Sequence, residues 1–321
     1  MKRVARLCLM TMMAFTIAGC GQNTAGQTAK PPPVHGHATK KVTFPDPASR
    51  ACMTALKPMG VPMGTLYWPD SGVYGPIYRQ VRLPSSFVGG PKAQRGRQSP
   101  LLTAYENLLS AAVGYPLAPY LGSTVREVDL AGGPDGMSGY VCLEDKRHVI
   151  GVWGEQADYT PQPGLLVTAK DQTFQSLAGT DFLSWLMKNG YYHPRAVADS
   201  SGFTAEQALE NSFAVMNDPS LSTSQRTHLL ATYYATSRLT PMPPPLVALV
   251  PLQISYQPPL PGPRIDLKTQ QEFAVMLWPH WSIFPPPSDY MAGNGLQGMF
   301  YTMVRPTGTS MWKIGSEGTG G

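Results

Sequence analysis

The residues able to do chemistry in this sequence form no recognised catalytic motif. The chain contains no His-Glu-x-x-His, no Cys-x-x-Cys, no Gly-x-Ser-x-Gly and no phosphate-binding Gly-Lys-Ser/Thr loop. One Ser-x-x-Lys joins Ser310 to Lys313, but it falls on a predicted strand, where residues three apart face opposite sides. His35 and His37 have no third ligand beside them, so no metal site is predicted. The sequence therefore predicts no catalytic residues and no cofactor.

The first twenty residues carry the clearest chemical signal, at Cys20. Lys2, Arg3 and Arg6 precede an uncharged apolar run from Leu7 to Ile17, which is typical of a secretory signal. This run is too short for a stable transmembrane helix, which needs about 20 apolar residues. Ile17-Ala18-Gly19-Cys20 resembles the lipobox of bacterial lipoproteins. The resemblance implies a signal peptide at 1–19, a lipidated Cys20 and anchoring on the extracytoplasmic face of the cell membrane. The alternative is an ordinary cleaved signal with an incidental cysteine.

Two cysteines remain after Cys8 leaves with the signal and Cys20 takes lipid. Cys52 and Cys142 form one possible pair, and disulfides persist in exported proteins. The bond would tie the start of the folded region to a strand far along the chain. The alternative is two buried, reduced thiols.

Length and composition predict loop-rich globular domains. About 300 residues remain after cleavage, more than one compact core usually holds, so two domains are expected. Charged residues make up only 14% of the chain, while it has 33 Pro and 32 Gly. Three of the 25 basic residues lie in the signal, so 22 face 20 acidic residues in the mature chain. This balance excludes an electrostatic argument for nucleic-acid binding. Residues 20–59 show almost no apolar periodicity, which predicts a flexible tether after the lipidated cysteine.

The predicted first domain, 60–195, alternates strand and helix patterns. Met63–Trp68, Ile77–Leu83 and Thr124–Leu130 read as strands, and Ser99 with Pro100 begins a helix that ends at Gly114. The runs T-L-Y-W-P-D-S-G, Y-R-Q-V-R-L-P, L-L-T-A-Y-E-N-L-L and Y-L-G-S-T-V-R-E-V-D-L-A-G-G resemble the GerM-type sporulation and spore-germination domain over about residues 63–143. The resemblance implies a small α+β module for assembly or envelope contacts.

The predicted second domain, 203–321, begins with two helices and ends in strands. Thr204 and Ser222 each open a capping box, and strands are expected at 246–256, 272–278, 295–304 and 310–315. This order, with the ending M-W-K-I-G-S-E-G-T-G-G, resembles the nuclear-transport-factor-2-like (ketosteroid-isomerase-like) cone. The overall expectation is an α+β protein whose second domain is a curved antiparallel sheet covered by helices.

The cone resemblance implies an apolar pocket between helices and sheet. Its possible lining is Phe213, Tyr233, Tyr234, Trp278 and Trp312, and plain core packing is the alternative. The plausible proton donors or bases nearby are Tyr233, Tyr234, Asp266 and Asp289. No motif fixes an acid and a hydroxyl on one spot, as an isomerase of this fold requires.

These features predict a membrane-anchored extracytoplasmic lipoprotein that binds or scaffolds. The partner would be another envelope protein, peptidoglycan or a small apolar molecule, and the first-domain resemblance implies a sporulation or germination setting. Two alternatives remain open at this point. One is an enzyme that uses the C-terminal pocket, and the other is the solute-binding lipoprotein of a transporter, which needs two doubly wound lobes.

Overall fold

The computed structural model of the chain describes residues 47–61, 77–93, 97–130, 138–156, 165–235, 246–258, 266–281 and 297–318. Its helices are α1 (Pro47–Leu56), α2 (Pro100–Ala111), α3 (Phe174–Ala178), α4 (Phe182–Lys188), α5 (Ala205–Asn217) and α6 (Thr223–Tyr233). Its strands are β1 (Ile77–Arg82), β2 (Thr124–Leu130), β3 (Ser138–Asp145), β4 (His148–Gln156), β5 (Leu165–Val167), β6 (Leu246–Gln257), β7 (Gln270–Trp281), β8 (Gln297–Val304) and β9 (Lys313–Gly318). Short 3-10 turns cover Lys57–Met59 and Ala118–Tyr120.

The strands form two antiparallel sheets. The first sheet has the order β1-β2-β3-β4-β5 and the second has the order β6-β7-β8-β9. Each strand pairs with its neighbour in sequence, and every pair is antiparallel. Register shifts leave one extra residue on β4, two on β6 and one on β9, and such bulges bend a strand and increase its twist. The expected α+β class is confirmed.

Local signals place the helix starts where the sequence predicts them. Thr204 and Ser222 both form complete capping boxes, in which the cap side chain and the N3 glutamine each accept a backbone N–H. Ser99 caps α2 and Pro100 occupies its first turn, where a missing N–H costs nothing. Asp181 accepts the Ser184 N–H at the start of α4. These contacts use only neighbouring residues, which explains why the sequence reveals them.

Helix α1 corrects the prediction of a flexible tether over 20–59. Residues 47–56 are helical and bury Ala48, Cys52 and Leu56 against one face of the first sheet. The structure joins Cys52 to Cys142 of β3 in a disulfide, with the Cα atoms 5.7 Å apart. Both half-cystines are fully buried among apolar residues. The last part of the expected tether is therefore a packed element; residues 20–46 lie outside the described residues.

A cluster of aromatic rings fills the opposite face of the first sheet. Tyr105 of α2, Phe174 of α3 and Phe182 of α4 meet at centroid distances of 5.2–5.8 Å. Trp278 of β7 joins them at 5.2–5.5 Å, although it belongs to the second sheet. The described residues all belong to one compact unit. The ranges predicted as separate domains, 60–195 and 203–321, thus share apolar packing.

Hydrogen bonds also connect the two predicted ranges. The Ser99 hydroxyl that caps α2 donates to the carbonyl of Leu252 in β6. Next to it, the Ile254 N–H donates to the Pro91 carbonyl at 2.8 Å, and the Ala93 N–H donates to the Ile254 carbonyl at 3.0 Å. These bonds pair part of the edge of β6 with the segment that leads into α2.

Candidate functional site

The residues predicted to line a C-terminal pocket occupy two different cores. Phe213 of α5, Tyr233 of α6, Tyr234 and Trp312 lie in the apolar cluster between α5, α6 and the second sheet, and each is at most 6% exposed. Trp278 lies instead in the aromatic cluster described above. The structure therefore brings four of the five residues together and places the fifth elsewhere.

The four residues make packing contacts. Phe213 meets Tyr301 edge-on at 5.5 Å, and the Asn211 side-chain amide donates to the Tyr233 hydroxyl. The Arg305 guanidinium stacks over the Trp312 ring at 4.9 Å. These contacts satisfy polar groups and hold rings in place, which is the role of core residues.

The carboxyl group near these tyrosines is one that the sequence analysis missed. Asp266 is exposed in the turn before β7, and Asp289 lies outside the described residues. Glu317 of β9 instead lies directly opposite Tyr301 of β8. Burial raises the pKa of Glu317, and burial together with the Glu317 charge raises the pKa of Tyr234 and of Tyr301. All three groups are thus shifted toward their protonated forms.

The histidines of the described ranges lie on different elements of the fold. His148, His193 and His228 are exposed, and His280 is half-buried. Ser310 lies in the turn before β9, which begins at Lys313, so the expected strand over 310–315 begins too early. No group of three or more His, Cys, Asp or Glu residues in the described ranges could hold a metal ion. Cys20 lies outside these ranges.

A polar cleft opens on the face of the first sheet that α1 covers. Its volume is about 450 Å³, and it is lined by Pro47, Ala48, Gln80, Thr124, Val125, Arg126, Glu144, Asp145, Lys146 and Arg147. Arg126 of β2 stands opposite Gln80 of β1 and Glu144 of β3. Residues paired across antiparallel strands point to the same face, so these three form the floor. The start of α1 and the β3–β4 turn form walls.

The β3–β4 turn at this cleft has an unusual backbone. Lys146 and Arg147 are its two central residues, with φ of 48° and 73°. A two-residue hairpin turn with both φ angles positive is of type I′, which strongly favours Asn-Gly. Among described residues other than glycine, Asp171 is the third with positive φ. Holding a residue other than glycine in this backbone conformation costs free energy, and such residues are concentrated at ligand clamps and active sites.

The charges of the cleft are mixed. Arg126, Lys146 and Arg147 supply three cationic side chains, while Glu144 and Asp145 supply two carboxyl groups. Glu144 is 5% exposed, whereas Arg126, Lys146 and Arg147 are open to solvent. The first turn of α1 adds the partial positive charge of a helix N-terminus. No single residue motif encodes this cleft; the charged run Asp145-Lys146-Arg147, which connects β3 to β4, is the sequence signal that could have indicated it.

Comparison with known proteins gives no further assignment: no protein family, curated protein or solved structure matches this chain significantly. The resemblances to the GerM-type domain and to the nuclear-transport-factor-2-like cone stay predictions. Within the described ranges, no helix combines the length and apolarity that crossing a bilayer requires.

Proposed function

We propose that this chain is a lipid-anchored extracytoplasmic protein of the cell envelope that acts by binding. The anchor is Cys20, in the sequence Ile17-Ala18-Gly19-Cys20. The observation that carries the proposal is the buried Cys52–Cys142 disulfide, because such bonds persist in oxidising compartments outside the cytoplasm. Signal, lipobox and disulfide then describe one consistent location.

The cleft on the first sheet favours binding as the mode of action. It offers charged and amide side chains on a floor built from three paired strands. The apolar residues expected to form a C-terminal pocket make core contacts instead. The partner we propose is another envelope protein or peptidoglycan, and a role in sporulation or germination rests only on the first-domain resemblance.

The transporter alternative loses support from the sheet topology. A solute-binding lipoprotein of that type needs two lobes with parallel, doubly wound sheets. Both described sheets are antiparallel throughout. The enzyme alternative requires a base beside a hydroxyl in a cavity, and Tyr233 and Tyr234, which were expected there, lie in the packed core instead.

Fractionation of cells that express the full chain tests the anchoring. The unaltered chain should sediment with membranes and take up a labelled fatty acid, and protease added outside the cytoplasm should digest it. The matched control is Cys20→Ala, which keeps the signal but removes the acceptor thiol. Equal membrane association and equal labelling of the two chains would contradict the proposal.

A further inference from the structure

We propose that the cleft binds short peptides whose amino and carboxyl ends are free. This inference goes beyond the proposed function, because it adds a small ligand to a protein whose proposed partner is another envelope protein or peptidoglycan. The argument rests on the arrangement of charges in the cleft, on its size and on the backbone of the β3–β4 turn.

The charge arrangement selects a zwitterion. An anion would meet Arg126, Lys146 and Arg147, but also the carboxyl groups of Glu144 and Asp145. A cation would be attracted by these two carboxyl groups and repelled by the three cationic side chains. A ligand with both charges can place its carboxylate near the guanidinium groups and its ammonium near the acids, since electrostatic complementarity governs specificity. Gln80 and Thr124 offer an amide and a hydroxyl, which suit peptide N–H and C=O groups between the two ends.

The dimensions fit a small peptide. The volume of about 450 Å³ lies within the usual range of small-molecule sites, roughly 300–1,000 Å³. The floor spans β1, β2 and β3, and neighbouring strands lie about 4.8 Å apart. Two such spacings are comparable to the separation of the charged ends of an extended tripeptide.

The turn backbone supports a binding role for Lys146 and Arg147. If stability alone determined the residues of this turn, we would expect Asn-Gly, which adopts positive φ at little cost in free energy. This turn instead holds two long cationic side chains at φ of 48° and 73°, where they line the cleft. The turn is thus less stable than an Asn-Gly turn would be, but it holds two cationic side chains in a fixed position, as expected of a ligand clamp.

The disulfide keeps the opposite wall in place. Pro47 and Ala48 begin α1, and Cys52 lies one turn further along the same helix. Its bond to Cys142 fixes that helix to β3, the strand that carries Glu144 into the cleft. Walls fixed before binding reduce the entropy that association costs.

Calorimetric titration of trialanine into the detergent-solubilised full chain tests the proposal. We expect saturable binding that weakens at least tenfold when the peptide is N-acetylated, and likewise when it is C-amidated. Arg126→Gln should weaken binding by a similar factor. Absence of binding, or equal binding of the blocked peptides, would overturn the proposal. Inorganic phosphate that binds as tightly as trialanine would overturn it in favour of a plain anion site.

The double variant Lys146→Asn/Arg147→Gly separates a ligand clamp from a merely structural turn. It should raise the melting temperature by a few degrees, because Asn-Gly suits the backbone, and it should abolish binding. Asp171→Gly is the matched control, since Asp171 has φ of 58° at an exposed position outside the cleft lining. It should also raise the melting temperature while leaving the affinity unchanged. Unchanged affinity in the double variant would refute the clamp.

These outcomes are distinguishable from failure of the proposed function. Acylation is read from labelling of Cys20, and peptide binding is read by calorimetry. A chain that is anchored but does not bind trialanine refutes only the ligand. A chain that binds trialanine without being acylated refutes only the anchor.

Discussion

Loss of the disulfide should reduce the free energy of unfolding strongly. Cys52 and Cys142 are 90 residues apart in sequence. In the chain-entropy treatment, closing a loop of that length removes roughly 15 cal/mol/K from the unfolded state, or about 4.5 kcal/mol at 25 °C. Near the melting temperature, 1 kcal/mol corresponds to about 2–4 °C for domains of this size, so we expect a decrease of roughly 9–18 °C.

The assay is thermal denaturation of the full chain with and without a strong reductant, followed by circular dichroism. Reduction keeps both side chains, so the shift reports the bond and not a cavity. Cys52→Ala/Cys142→Ala is the matched control, because reductant should not shift its melting temperature further. The two sulfur atoms are fully buried, so the reductant must be present during unfolding. A melting temperature that changes by less than about 2 °C on reduction would refute the loop-closure argument.

Three further predictions concern Glu317, whose pKa is raised, Asp218, whose pKa is lowered, and Trp278 of the aromatic cluster. Burial raises the pKa of Glu317, so the stability of the protein should fall as pH rises through the pKa of the folded state. In thermal scans across pH, Glu317→Gln should therefore raise the melting temperature at pH 8 but not at pH 4. Burial opposes ionisation of Asp218, but hydrogen bonds from Ser220 and from the Ala196 N–H outweigh it and lower its pKa. Asp218→Asn should therefore destabilise the protein at pH 7, and this difference should shrink as pH falls below about 4. Trp278→Ala should cost about 3–5 kcal/mol in urea unfolding, because it removes a ring that meets three others. The predictions would be contradicted by an unchanged melting temperature of Glu317→Gln at pH 8, by an Asp218→Asn difference that stays the same below about pH 4, or by an unchanged urea midpoint of Trp278→Ala.

The sequence predicts the features that depend on neighbouring residues. The caps at Ser99, Asp181, Thr204 and Ser222 lie where their side chains indicate. Each cap is satisfied within three or four residues, so no distant contact is needed to recognise it. Strand β2 is likewise found over the predicted Thr124–Leu130, although its buried positions alternate only in part, because Glu127 and Val128 are both buried.

Features that depend on contacts between residues far apart in the sequence were not predicted. Helix α1 is only ten residues long, and helices of that length gain most of their stability from packing. Its packing partners lie on β2, β3 and β4, and its disulfide partner is 90 residues away. Its segment therefore looks like a continuation of the tether.

The candidate site cannot be predicted from the sequence pattern for the same reason. Gln80, Arg126 and Glu144 are polar residues on three separate strands, and only the pairing register brings them side by side. Glu317 reaches Tyr301 through the β8–β9 register in the same way. The resemblance to the cone fold pointed instead to aromatic residues, and these lie in the apolar cores.

The most direct test of the whole account is the mass of the N-terminal peptide of the mature protein, measured after proteolysis of the membrane fraction. The account predicts a peptide that begins at Cys20 and carries a diacylglyceryl group on the sulfur. A peptide that retains the residues before Cys20, or one in which Cys20 is an unmodified thiol, would contradict it.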